Sequence, residues 1–171
     1  MVRLWRCEIC GDSFIADELA MCPFCGAHKG FVKEAKEAKV DFNSELNETD
    51  KANAKKALEL EISNSEFYFC AAEKTDDTEG RLLFKALGKV EAEHVSIWRK
   101  ILKLEKINIG KSQCAASNKK NLQESHDRED MAIKFYREAA KSSENAFVRK
   151  IFGALVQVES DHLKLSEERL A

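Results

Sequence analysis

The chain has 171 residues, 34% of them charged, with a formal net charge of -2, one proline and seven glycines. Charges so evenly interleaved exclude a polybasic surface for nucleic acid or anionic membrane, and no apolar run is long enough to span a bilayer. The length suits one medium domain, or a domain with a small satellite, and the scarcity of proline and glycine favours helix.

The first stretch, Met1-Val2-Arg3-Leu4-Trp5-Arg6, lacks the apolar core of a secretory leader, so the protein is expected in the cytoplasm. Two Cys-x-x-Cys pairs follow, Cys7-Glu8-Ile9-Cys10-Gly11 and Cys22-Pro23-Phe24-Cys25-Gly26, with eleven residues between them. In a cytoplasmic protein, paired knuckles of this kind predict a tetrahedral thiolate metal site. Each knuckle is a tight turn that points both sulfurs inward, and the glycine after the second cysteine accommodates the positive φ such a turn demands. A module this short cannot fold on an apolar core alone, so the metal would at least be its staple. Spacing does not choose between zinc and iron.

Residues 33–49 are charged and polar, with Lys33-Glu34-Ala35-Lys36-Glu37-Ala38-Lys39 able to form a short solvated helix, and are expected as a linker. Four longer helices follow. The first is predicted from Thr49-Asp50, which can cap it, to about Lys74, and the second from about Thr78 to Leu104. The segment Lys106-Ile107-Asn108-Ile109-Gly110-Lys111-Ser112-Gln113-Cys114 breaks the helical pattern and is expected to cross the length of the bundle. The third and fourth helices are predicted over about 117–141 and 146–169.

The helical part is duplicated at an offset of 68 residues. Glu61 is followed thirty residues later by Glu91, which opens Glu91-Ala92-Glu93-His94, and Glu129 is followed thirty later by Glu159, which opens Glu159-Ser160-Asp161-His162. At the same offset Phe67-Tyr68 matches Phe135-Tyr136, Ala72 matches Ala140, Phe84 matches Phe152 and Leu87 matches Leu155. The midpoint of each glutamate pair falls in a turn-like stretch, Thr75-Asp76-Asp77-Thr78 or Ser142-Ser143-Glu144-Asn145. Each half therefore predicts a helical hairpin with arms of equal rise, which returns the second glutamate to the level of the first. Glu and His three apart share a helix face.

Packing the hairpins together brings Glu61, Glu91, His94, Glu129, Glu159 and His162 into one layer of a four-helix bundle. A glutamate from each of two helices and a Glu-x-x-His from each of the others is the ligand set of di-iron and di-manganese carboxylate proteins. Four carboxylates neutralise two divalent ions, and without cations each would carry a desolvation penalty of several kcal/mol. Glu91 and Glu159 are expected to bridge, with Glu61 and His94 completing one metal and Glu129 and His162 the other. Six side chains leave coordination positions open, as a reactive site requires and a structural one does not.

The run from Leu4-Trp5-Arg6-Cys7 through Cys25-Gly26-Ala27-His28-Lys29-Gly30-Phe31 resembles the rubredoxin-like domain of rubrerythrins, and the duplicated Glu, Phe-Tyr and Glu-x-x-His pattern resembles their ferritin-like domain. The order is reversed from the better-known arrangement, in which the rubredoxin-like part is C-terminal. The resemblance implies a mainly α fold: a rubredoxin-like four-cysteine metal domain over 1–32, a linker over 33–49 and a ferritin-like di-iron bundle over 50–171, with a long crossover between helices 2 and 3. It further implies a peroxidase of oxidative-stress defence that reduces hydrogen peroxide to water at two iron ions. Electrons would come from a reductase or a rubredoxin through one iron, or zinc as the alternative, on Cys7, Cys10, Cys22 and Cys25. The first knuckle departs from the family in lacking an aromatic directly after its glycine, Gly11-Asp12-Ser13-Phe14. No nucleic acid or membrane partner is expected, and the chain is expected to form a homodimer or higher homo-oligomer. The alternatives are a ferroxidase or iron-handling protein, which needs no electron relay, and a non-catalytic metal-binding protein with a zinc ribbon.

Tyr68 and Tyr136 lie two turns from the layer, where core packing competes with a second-shell role against the metals. Cys70 is expected as a buried apolar residue, Cys114 as an exposed one on the crossover, and His28 as solvated. The rubrerythrins this chain resembles carry an extra glutamate one turn beyond the third-helix ligand, where the repeat puts Ala132. A rival alignment makes Glu129 that extra carboxylate and puts His126 at the ligand position.

Overall fold

The computed structural model describes residues 1–171. An N-terminal ribbon holds three antiparallel strands, β1 (Arg3–Cys7), β2 (Ser13–Ala16) and β3 (Val32–Glu34), in the order β2-β1-β3. Four helices follow: α1 (Glu48–Lys74), α2 (Thr78–Ile101), α3 (Asn118–Ser142) and α4 (Ala146–Leu170). The chain is thus mainly α, with a small sheet that carries the cysteines, and no helix is long and apolar enough to cross a membrane.

Three of the four helices start at a residue whose side chain satisfies free N–H groups of the first turn. Asn47 accepts from Asp50 N at 2.7 Å and Asp77 from Gly80 N at 2.5 Å, while Asn145 accepts from Phe147 N and Val148 N. The first helix therefore begins earlier than the Thr49-Asp50 expectation, because Asn47 already caps it. Asp50 is buried instead and accepts from Asn145 N at 3.1 Å, tying the start of α1 to the start of α4. α1 packs on α2 and α3 on α4 as two hairpins, with aromatic clusters between them. Phe67, Tyr68 and Phe84 lie in one half, and Phe135, Tyr136 and Phe152 lie at the matching positions of the other.

The segment expected as linker is built into the structure. Val32–Glu34 completes the sheet by pairing with β1, and no helix forms over 33–39. Ala35 N bonds Leu4 O at 3.0 Å, Lys39 N bonds Glu8 Oε1 at 2.8 Å, and Phe42 stands edge-on to Phe147 of α4. The ribbon in turn lies on the bundle. Lys100 of α2 donates to Cys10 O at 2.9 Å, and Gly26 (φ +72°) sits so near α4 that an added Cβ would lie 3.0 Å from Val158. His28, expected to be solvated, bonds Asp161 of α4 at 2.6 Å and is about 39% exposed.

The crossover between α2 and α3 has no regular structure, and three contacts hold its second half to α1 and the following turn. Gly110 N bonds Glu66 Oε1 at 2.9 Å, Asp76 N bonds Ala116 O at 2.8 Å, and Cys114 is disulfide-bonded to Cys70. Cys70 is buried as expected but is bonded, and Cys114 is half-buried rather than exposed. Spacing could not reveal the pair, because its members lie 44 positions apart with the whole of α2 between them.

A cross-link closing a loop of this length stabilises mainly by restricting the unfolded chain. Reduction, or Cys114→Ser, is expected to lower the unfolding free energy by about 2–4 kcal/mol. Urea denaturation of the oxidised and reduced proteins, with the four ribbon cysteines kept metal-loaded in both, measures it.

Candidate metal centres

The first centre grows out of the two knuckles. Cys7 ends β1, and Gly11 N bonds back to Cys7 O at 3.0 Å; Gly26 N repeats this to Cys22 O at 3.1 Å. Both glycines have positive φ, +85° and +72°, a region in which only glycine is free of strain. The turns bury all four sulfurs, with Cys7 3.7 Å from Cys25 and Cys10 3.7 Å from Cys22. Four thiolates bound tetrahedrally at about 2.3 Å from a metal lie about 3.8 Å apart, so the cage fits such an ion without rearrangement. Within it the Cys10–Cys22 hydrogen bond pulls the Cys22 thiol down and pushes the Cys10 thiol up.

The second centre lies in the bundle core. Glu61 comes from α1, Glu91 and His94 from α2, Glu129 from α3, and Glu159 and His162 from α4. The four glutamates and His94 are wholly buried, and His162 alone reaches solvent, at 6% exposure. His94 Nδ1 is 3.1 Å from Glu91, 3.3 Å from Glu159 and 3.4 Å from Glu61. His162 Nδ1 is 2.8 Å from Glu159, 3.1 Å from Glu91 and 3.8 Å from Glu129. The side chains thus form two groups, Glu61-Glu91-His94-Glu159 and Glu91-Glu129-Glu159-His162, which share Glu91 and Glu159.

Of these contacts only His94 Nδ1 to Glu91 Oε2, at 3.1 Å, is a hydrogen bond. Glu61 Oε2, Glu91 Oε1, Glu129 Oε2, both oxygens of Glu159 and His162 Nδ1 are buried without a hydrogen-bond partner. Orphaned acceptors at this density are costly unless something positive sits among them. Without metal that role falls to protons. Burial, then the neighbouring carboxylates, pushes Glu61 and Glu129 well above the usual carboxylate range. Burial opposes a charge on His94 and His162, yet the surrounding glutamates outweigh it and raise both. Burial would also raise Glu91, but the two imidazoles beside it hold it low. The donor set of carboxylate oxygen and imidazole nitrogen suits cations such as iron or manganese.

The tyrosines reach this layer although they start two turns away. Helical side chains lean toward the N-terminus, so Tyr68 slants back from α1 and donates to Glu129, and Tyr136 slants back from α3 and donates to Glu61. Tyr68 also bonds Ser125 Oγ at 2.9 Å, a partner the sequence reading missed.

The two centres touch. His94 Nε2 lies 2.9 Å from the backbone carbonyl of Cys25. A carbonyl only accepts, so Nε2 carries the proton, and in the neutral ring Nδ1 is left with a lone pair facing Glu61, Glu91 and Glu159. Glu93, one position off this face, turns instead toward the ribbon, where burial and a hydrogen bond with Asp12 raise it to about 7. Ala132 is buried and offers no ligand, and His126 lies outside the layer, near Asp127 and Glu167.

A protein-family model described as Rubrerythrin matches residues 52–170, all of the bundle but the first turn of α1, and not the ribbon. Among curated proteins and among solved structures, nothing matches.

Two outcomes follow from the site's electrostatics. Metal uptake must expel the protons on Glu61 and Glu129, whose affinities burial and neighbouring carboxylates have raised, and on His94 and His162, whose affinities the glutamates have raised against burial, so binding releases protons near neutrality and weakens as pH falls. A zinc titration in weakly buffered solution with an indicator dye measures the release. Glu91→Ala should lower bundle metal content toward one ion or none, whereas Glu93→Ala should leave it unchanged. Metal analysis of the two variants separates the faces.

Proposed function

The chain belongs to the rubrerythrin family, and from that premise we propose that it is a peroxidase that reduces hydrogen peroxide to water in oxidative-stress defence. Loaded with two iron ions, the bundle layer would supply two-electron reduction of peroxide, and an iron on Cys7, Cys10, Cys22 and Cys25 would supply electrons singly from an external reductase or rubredoxin. The observation that carries the reading is the 2.9 Å contact between Cys25 O and His94 Nε2. A ribbon that served only as a staple would have no reason to abut a residue of the buried layer, and a ferroxidase draws its electrons from its substrate iron.

The chain's own residues account for the remaining requirements. Glu61, Glu91, Glu129 and Glu159 together cancel the charge of two divalent cations, so the loaded core is near neutral. His94 has one nitrogen for the layer and one for the ribbon, which makes it the bridge between the centres within a single chain. His162, at the edge that meets solvent, marks the side from which a small substrate enters. Tyr68 and Tyr136 steady Glu129 and Glu61 by donating to them. With Ala132 in place of a further carboxylate, His94 has no competitor, and both histidines are expected to stay bound in oxidised and reduced protein alike.

The relay is tested by replacing one of its thiolates. In Cys22→Ser, prereduced protein should still consume peroxide in a single turnover, while steady-state reduction with an external donor is abolished. Stopped-flow absorbance at the thiolate-iron charge-transfer band follows both. Unchanged steady-state activity would reject the relay.

A further inference from the structure

The duplication makes the bundle its own control, because any residue of one half can be compared with its mate 68 positions away. The two tyrosines match: each is wholly buried and each donates to the glutamate of the opposite hairpin. Their surroundings do not match. Behind Tyr68 lies a line of hydroxyls: Ser125 Oγ is 2.9 Å from its oxygen, and Ser166 Oγ is 2.8 Å from Ser125 Oγ. Both serines are wholly buried. At the mate positions stand Ala57 and Trp98. Alanine offers no hydroxyl, and the indole packs on Phe152 at 4.6 Å between ring centres with its N–H unpartnered.

We propose that Ser166, Ser125 and Tyr68 form a one-sided proton relay to Glu129, and that the matching line of mates, Trp98, Ala57 and Tyr136, is closed to protons. The proposal rests on the peroxidase reading for its purpose, since each peroxide reduced to two waters takes up two electrons and two protons in a layer that is almost sealed.

The hydroxyls are arranged for this task. Tyr68 donates to Glu129, so its oxygen is left to accept from Ser125, which in turn accepts from Ser166. The protons then all point inward, and such chains polarise one another cooperatively. In one passage Tyr68 gives its proton to the Glu129 carboxylate, Ser125 gives its own to Tyr68, Ser166 gives its own to Ser125, and a hydronium ion from solvent restores Ser166 and is left as water. Every O–H bond broken is matched by one formed, and no hydroxyl is left charged. Ser166 also lies 3.4 Å from His162 O, an alternative acceptor toward which its hydroxyl can turn to reset the line. That carbonyl belongs to the one residue of the layer that meets solvent, so the outer end of the relay sits beside the layer's open edge.

Exchange of the tyrosine hydroxyl protons tests the relay without any redox chemistry. The full chain is loaded with zinc, its two tyrosines are labelled with carbon-13, and exchange into D2O is read from the deuterium isotope shift on each ring Cζ. Single Tyr→Phe variants assign the signals. Burial alone predicts equal rates, since neither ring is exposed. The relay predicts that Tyr68 exchanges faster than Tyr136, and that in Ser125→Ala the ratio falls to about one with zinc content unchanged. That variant copies the Ala57 of the other half, so the fold has already accommodated it once. Ser166→Ala should act in the same direction, and Ser166→Thr, which keeps the hydroxyl, should restore the difference. Equal rates in the wild type, or a difference that survives both alanine variants, would overturn the relay. In the iron-loaded protein, Ser125→Ala should also enlarge the solvent deuterium isotope effect on peroxide turnover. A protein that shows the exchange difference but no peroxide turnover would reject the peroxidase reading and leave the relay standing.

Discussion

Four carboxylates at one level of a helical core, with no exposed surface among them, are the constraint around which the rest of the structure is arranged. An isolated buried charge costs several kcal/mol, so such a layer exists only if its surroundings return that energy. The equal arms of the two hairpins bring the glutamates level, and the histidine three residues after Glu91 and Glu159 puts an imidazole on the same face each time. The remaining deficit is met by whatever positive species is at hand, protons in the metal-free protein and cations in the loaded one. The state of the layer is therefore coupled to both pH and metal supply.

The second constraint is steric and belongs to the ribbon. A knuckle that aims two sulfurs at one point needs a residue with positive φ at its end, which demands glycine at 11 and 26. At Gly26 the missing side chain has a further consequence. A Cβ there would press on Val158, so its absence lets the ribbon lie close on α4 beside the Cys25 carbonyl that meets His94. Backbone geometry required for metal binding thus also permits the docking on which the proposed electron path depends, with His28 on Asp161 and Lys100 on Cys10 O holding the two parts together.

What could be read before the structure was whatever repeats at a fixed interval. Glu61, Glu91, Glu129 and Glu159 were legible because a thirty-residue spacing about a turn has one helical solution, and the thiolate cage because two short knuckles have few others. Contacts between elements far apart in sequence were not legible. Cys70 and Cys114 meet only because the crossover descends along α1, and His28 meets Asp161 only because of the angle at which the ribbon docks. The strand at Val32–Glu34 was hidden by its charge: Lys33 and Glu34 suit a solvated helix as well as a strand at the edge of a small sheet. Tyr68 and Tyr136 were placed correctly along their helices, but the backward lean of helical side chains carries their hydroxyls to the layer itself.

Duplication explains why the layer is so nearly symmetric, and the positions where the halves differ indicate how it is used. His94 is capped by a backbone carbonyl of the ribbon, whereas its mate His162 opens toward solvent. Tyr68 is backed by two serines, whereas the positions that match those serines hold Ala57 and Trp98. Both differences fall on the same division. His94 meets the ribbon beside the thiolate centre, whereas His162, whose carbonyl accepts from Ser166, lies at the edge that reaches solvent. An electron can cross a dry, packed medium, but a proton needs a continuous line of hydrogen bonds, so one half could not serve both supplies well. Glu91 and Glu159, the two carboxylates common to both groups, are where the supplies would meet.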